Sequence, residues 1–319
     1  MQASKGRQFY NTFGTYIILV ALIILFSIIA NGFFTVGNLT NVLRTASVYI
    51  VLGCGMTFVM VSGKIDLSVG AVAALVGCCV ALFMQAGMST IVASILGLVI
   101  GAFCGFLNGL FIAKLKVPFF IMTAGMMYIC SGLALVFTHE TSIRITSAEG
   151  DVPFEFWGAK TISIIPSQFI VALIFFFICW YIISNTKTGR YTYAIGSNEN
   201  TARLSGVNVD KYNILIFTIC GLSAAIAGLI LASRLHTGSP NLADGGYNIL
   251  AIAAAAIGGT SLSGGEGKIV KSLVGAFIIC IITTGLNIMG VNTSTQNVVI
   301  GAVLVVVVAI DMLGKRHRA

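Results

Sequence analysis

Two stretches of this chain bring glycine, serine and a carboxylate into one repeated spacing. Gly63-Lys-Ile-Asp-Leu-Ser-Val-Gly70 and Gly258-Gly-Thr-Ser-Leu-Ser-Gly-Gly265 both read G-x-x-[DS]-L-S-x-G. These residue types suit hydrogen bonding to backbone rather than bond-making. Gly63, Gly70, Gly258 and Gly259 free the main chain to leave a helix. Asp66, Ser68, Ser261 and Ser263 can accept the exposed amides of the helix that follows. Two readings stay open. The stretches are tight turns at a membrane surface, or they are helix breaks beside a water-filled path, the only place irregular backbone is tolerated at depth.

Catalytic chemistry finds no support. No Ser/His/Asp or Cys/His arrangement is legible, and His139, His236 and His317 all lie outside the apolar runs. The eight cysteines sit inside apolar runs without a C-x-x-C pair, as small buried hydrophobes do; neither a metal site nor a disulfide framework is expected. No G-x-x-x-x-G-K-[ST] occurs, so ATP has no P-loop here. The chain is expected to be neither an enzyme nor a cofactor binder. Any energy for its work comes from a partner or an ion gradient.

The elements that must position these residues are membrane helices. Of 319 residues 57% are hydrophobic and 9% charged, with mean hydropathy +1.00. A soluble chain of this size carries far more charge. Apolar stretches fall at 13–30, 48–61, 67–84, 91–113, 119–137, 164–183, 212–231, 247–257, 269–288 and 298–313. Most approach the roughly 20 residues that span a bilayer. Those at 48–61 and 247–257 are short, and each runs into one of the glycine-rich stretches. With ten crossings and both termini cytoplasmic, only Arg44, Arg144, Lys160 and Arg234 of the 18 basic residues lie outside. That is the positive-inside bias. Joining each short stretch to its successor gives eight crossings, splits the charge almost evenly and strands Lys64, Lys268 and Lys271. Ten crossings are therefore expected, in an all-α integral membrane protein forming one domain over 1–319. The net charge of +8 is scattered, which argues against nucleic-acid binding. Lys5 and Arg7 precede an uncleaved first helix.

Two polar segments stand out. An external loop, 139–161, carries Glu140, Glu149, Asp151 and Glu155 beside Phe154, Phe156 and Trp157; it is a connecting loop or a docking surface. A cytoplasmic segment, 185–211, holds Ser197 as a helix cap, Gly206 as a helix stop, and Ala202, Leu204 and Val207 as a small apolar surface. It is a linker or a docking element. In the fourth stretch Ala93, Gly97, Gly101, Gly105 and Gly109 recur every fourth residue, a spacing that lets helices approach closely. Asn108 lies beside that ridge and needs a polar partner. Asp311 and Lys315 are an ordinary i, i+4 pair.

Together these residues resemble the permease subunits of bacterial ribose-type ABC importers. Gly63–Gly70 is similar to that family's G-G-I-D-L-S-V-G. Leu107–Pro118 is similar to its N-G-x-x-I-x-x-x-x-V-P. Ser205–Asn208 is similar to its S-G-[IV]-N. Ile252–Ala254 with Gly258–Gly265 is similar to its I-A-A-x-x-x-G-G-T-S-L-x-G-G. The resemblance covers nearly the whole chain. It implies a subunit of the bacterial cytoplasmic membrane that pairs with a second permease, commonly as a homodimer. It also implies a cytoplasmic cassette ATPase that uses ATP and Mg, and an external binding protein that delivers a small sugar. Glu199, Asn200, Ala202, Arg203, Leu204, Ser205, Gly206 and Asn208 would form the element that fits the ATPase. Gly63, Asp66, Ser68, Gly70, Asn108, Gly258, Gly259, Ser261 and Ser263 would form the helix breaks along the solute path. Ser131-Gly132 stands where the family has arginine-glycine, Thr123–Met127 departs from T-L-G-T-M, and Lys64 replaces a glycine. The competing reading is a gradient-driven secondary transporter, for which Asp66, Glu266 and Asp311 are the acidic candidates.

Overall fold

The computed structural model describes residues 5–147, 153–162 and 164–316. Glu149, Asp151 and His317 lie outside them, and so do the side chains of Asp311 and Lys315. The described chain is helical almost throughout. In order come α1 (Lys5–Ile29), α2 (Val36–Val61), α3 (Val69–Gln85), α4 (Thr90–Lys114), α5 (Phe119–Thr138), α6 (Ser167–Asn185), α7 (Lys187–Ser197) and α8 (Glu199–Leu204). They are followed by α9 (Val209–Leu235), α10 (Tyr247–Ile257), α11 (Ile269–Ile288) and α12 (Thr293–Arg316). Six of them, α2, α4, α5, α6, α9 and α11, are long and apolar enough to cross a membrane.

The expected short stretch at 48–61 is corrected: α2 starts at Val36 and has 26 residues. Its first half looked like loop because it is polar. Several polar groups there have partners that leave the helix intact. Thr35 caps the Asn38 amide, the Asn38 side chain donates to the Phe33 carbonyl at 2.7 Å, and Arg44 donates to Thr161 Oγ1 at 2.7 Å. α10 is short, with 11 residues.

α9 is the packing centre, in contact with α2, α3 and α4. The glycine ridge of α4 makes that possible. A Cβ at Gly101 would lie 2.5 Å from Ala225 Cβ, and one at Gly109 would lie 2.6 Å from Ile214 Cα. Helix backbones approach this closely only where side chains are missing, which in lipid supplies the dispersion contact that holds helices together. All eight cysteines are buried and free.

The ends of the helices gather into two faces. On one, Arg44 meets Thr161, Trp157 Nε1 donates to Ser94 Oγ, and strand β1 (Ile143–Arg144) pairs with a strand at Thr237–Gly238. On the other, 62–66, 114–116, 196–210 and 264–265 come together through ion pairs and close backbone contacts. α2 to α6, and then α9 to α11, run alternately between these faces.

Candidate functional site

The second face is built around α8. Asn198 Oδ1 accepts from the Thr201 amide at 2.9 Å and starts the helix. Ser197 does not, against expectation: it is the last residue of α7, and its hydroxyl donates back to the Tyr193 carbonyl. Asn198 has the extended backbone a cap requires. Gly206 ends the helix with φ +83°. Its amide donates to Arg203 O and the Val207 amide to Ala202 O, the two bonds of a Schellman stop. Asn208 then caps α9 by accepting from the Lys211 amide at 3.0 Å.

Six residues cannot hold a helix in water alone, so α8 is braced from outside. Ala202 is buried against Ile195 and Val209. Arg203 pairs with Asp210 at 3.1 Å, and Asp210 also meets Lys116 at 3.1 Å and Lys114 at 3.6 Å, tying the corner to the end of α4. Glu199 pairs with Arg203 at 3.6 Å and with Lys64 Nζ at 3.1 Å. The Glu199–Arg203 pair is exposed and adds little stability, about 0–1 kcal/mol; what these contacts fix is orientation. Asn200 is exposed, and Ser205 donates to the Thr201 carbonyl. Leu204 is 90% exposed on this braced corner. The expected apolar surface of Ala202, Leu204 and Val207 therefore reduces to Leu204, since Ala202 faces inward and Val207 is half-buried.

Both glycine-rich stretches reach this corner. Gly63 has φ +78° and lies against Ser263 and Gly264. The Gly265 amide donates to the Val61 carbonyl at 2.9 Å. Gly196, at the end of α7, is wedged between them: a Cβ there would sit 1.8 Å from Val61 O. Lys64, with its side chain 11% exposed, bridges the first stretch to α8. Gly258 packs on Lys271 and Ser272 of α11, and Gly259 turns with φ +84°.

From Gly63 the chain climbs inward. Asp66 Oδ1 accepts from the Ser68 amide at 2.8 Å and from the Ser68 hydroxyl at 2.6 Å, and Asn108 Nδ2 donates to Ser68 Oγ at 3.0 Å. All three residues are buried. Asn108 is six residues inside the end of α4, so α3 begins about 9 Å in from this face. The Asp66 carboxyl is thus sealed from solvent and held by Ser68. The expectation that Ser68 caps α3 is corrected, because its hydroxyl makes no cap bond and the Asp66 carboxylate takes the Ser68 amide instead. Ser261 and Ser263 do not cap α11 either. Its cap position is Lys268, too far along the chain, and Ser261 instead accepts from the Ser263 amide within its own turn.

The second half has an inward break that lies outside the repeated motif. After Gly238, which packs on Gly77 and Ala81 of α3, the chain descends through a 3-10 turn at Pro240–Asp244. α10 then starts at Gly246, φ +69°. Gly70 lies against Tyr247 Cβ, Asn248 N and Ala243 O. The starts of α3 and α10 therefore meet inside the protein, having entered from opposite faces. Gly245-Gly246 was the local signal available for this break. Glu266 is exposed on its loop, and among the described residues no cluster of metal-binding side chains occurs.

Residues 38–308 match the family model described as branched-chain amino acid transport system / permease component. The chain is 38% identical to the ribose import permease protein of Escherichia coli over 97% of its length and 98% of that protein's. It is 41% identical to the ribose import permease protein of Bacillus subtilis, covering 93% and 92% of the two chains. It is 36% identical to a D-allose transport system permease protein of Escherichia coli, covering 96% and 93%. No solved structure matches.

Proposed function

The chain belongs to this family of importer permease components, and from that premise we propose that it carries a ribose-like monosaccharide across the bacterial cytoplasmic membrane, driven by a partner ATPase. It is a multi-pass transport subunit. The partner is a cytoplasmic cassette ATPase that uses ATP and Mg, and an external binding protein delivers the sugar. A second copy of the permease completes the pathway.

The observation that carries the coupling is the α8 corner. An almost fully exposed leucine projects from a helix fixed by Asp210, Lys64 and a Schellman stop, at the corner that both glycine-rich stretches reach. A force applied at Leu204 reaches 62–68 through the Lys64–Glu199 pair and 258–265 through Gly196. The face that bears α8 is the cytoplasmic one in this reading, and α1 and α12 complete ten crossings. The alternation of α2–α6 and α9–α11 supports it, as does the side-by-side placement of Lys64, Lys114, Lys116 and Arg203. The sugar passes where the starts of α3 and α10 meet, since discontinuous helices supply backbone groups at mid-depth that an uninterrupted helix withholds. Asp66, Ser68 and Asn108 form the sealed support of that point rather than its open lining. The sealing of Asp66 also weakens the gradient-driven reading, which needs a carboxyl open to protons.

Reconstituted vesicles test the proposal. Labelled ribose uptake should require ATP, the ATPase and the binding protein together. Uptake by this chain alone under an imposed proton gradient would overturn it.

A further inference from the structure

A cavity of about 420 Å³ opens between the end of α6, α7 and the start of α11, away from the Leu204 corner. Its lining includes Trp180, Ser184, Arg190, Tyr193 and Lys268 and contains no carboxylate. Arg190 and Lys268 are both exposed, and neither takes part in an ion pair among the described residues. The rim is fixed, because Tyr193 donates from its hydroxyl to the Gly267 carbonyl at 2.6 Å and so holds α7 against the approach to α11. Ile269 and Val270, which also line the cavity, open a 20-residue helix whose cap position offers no side-chain acceptor. Their amides add partial positive charge to that of the two cations.

The surroundings say what kind of anion fits. Next to the cavity α6 has an exposed flank, where Ile174, Phe177, Ile178 and Tyr181 present apolar and aromatic surface within a turn or two of the lining residue Trp180. Such a flank faces acyl chains, and tryptophan and tyrosine favour the level of the headgroups. A free anion would use the cations and leave this flank untouched. A soluble partner such as the ATPase would not reach a face that runs along the bilayer.

We propose that Arg190, Lys268 and the start of α11 bind the phosphate of an anionic phospholipid in the leaflet beside α8, with its acyl chains on α6. Basic pockets between membrane helices are suited to such headgroups. The site borders α7 and the loop before α11, the same elements that brace the coupling corner, so a bound lipid stiffens that corner. The inference takes the leaflet from the proposed sidedness. Lipid retention and ATP-driven uptake are separate readouts, so the failure of one is distinguishable from the failure of the other.

The test is native mass spectrometry of the full chain, before and after its ATPase is added, offered equal amounts of phosphatidylglycerol and phosphatidylcholine. Phosphatidylglycerol should be retained in preference. Its apparent affinity should fall about fivefold in Lys268→Gln and about 30-fold when Arg190→Gln is added. The single variant carries the test if the double variant does not fold. Equal retention of the two lipids, or retention unchanged by either variant, would overturn the site. So would displacement by inorganic phosphate, which would assign it to a free anion, or release of the lipid when the ATPase binds, which would assign it to that protein.

Discussion

Leu204→Asp should abolish ATP-driven uptake while leaving the membrane helices folded. The side chain is 90% exposed and makes no contribution to the core, so the substitution leaves the permease itself undisturbed. In the proposed assembly the same side chain would be buried in the partner. Removing a leucine from such a pocket costs about 1.5–3 kcal/mol, and an unpaired carboxylate in its place adds a desolvation cost. Together these weaken association by about a hundredfold or more. The measurement is paired: uptake and ATP hydrolysis in the same vesicles, with the thermal unfolding temperature of the purified permease as control. Uptake should fall to background, hydrolysis should no longer respond to the binding protein, and the unfolding temperature should stay within a degree or so. Preserved uptake would remove Leu204 from the coupling.

Gly105→Ala should be severely destabilising, the reverse of what an alanine does in an ordinary helix. There the exchange gains about 0.5–1 kcal/mol. Here the new Cβ would lie 2.2 Å from the Phe217 carbonyl oxygen and 3.0 Å from Gly221 Cα, both backbone and unable to rotate away. α4 and α9 must separate along their shared length, at a cost of about 1–3 kcal/mol or more. Gly37→Ala is the matched control, since nothing lies within 4 Å of its added Cβ. Scanning fluorimetry in detergent should show a loss of several degrees for Gly105→Ala and little change for Gly37→Ala. Equal behaviour of the two would mean that the ridge does not hold these helices.

The contrast between these glycines shows what the sequence could reveal. The every-fourth-residue spacing pointed to a packing ridge, because helical periodicity alone places such residues on one face. The partner helix was not legible, as nothing local in α9 names α4. The same limit explains the caps. Ser197 and Asn198 are adjacent and both are good cap residues, so composition could not choose between them; the extended backbone at Asn198 did. The first half of α2 was hidden for a different reason. Asn38, Asn41 and Arg44 interrupt the apolar pattern, and the partners of Asn41 and Arg44, Arg234 and Thr161, are tertiary. The repeated glycine-serine motif was visible, but its two copies do unlike things. The first climbs inward to Asp66, whereas the second closes the α8 face. The inward break of the second half sits instead at Gly245-Gly246, a plain pair of glycines without the motif. Lys64 stood out as a charge that eight crossings would strand and as a departure from the family pattern. Its partner, Glu199, lies 135 residues away and could be found only in space.

The central claim is that the α8 corner faces the cytoplasm and seats the ATPase. The most direct measurement is the labelling of Leu204→Cys by a membrane-impermeant maleimide. The eight native cysteines are buried, so background reaction is low. Labelling should occur in inside-out vesicles, be absent from right-side-out vesicles, and be blocked when the ATPase is added. Labelling from the external side, or labelling that the ATPase leaves unchanged, would contradict the account.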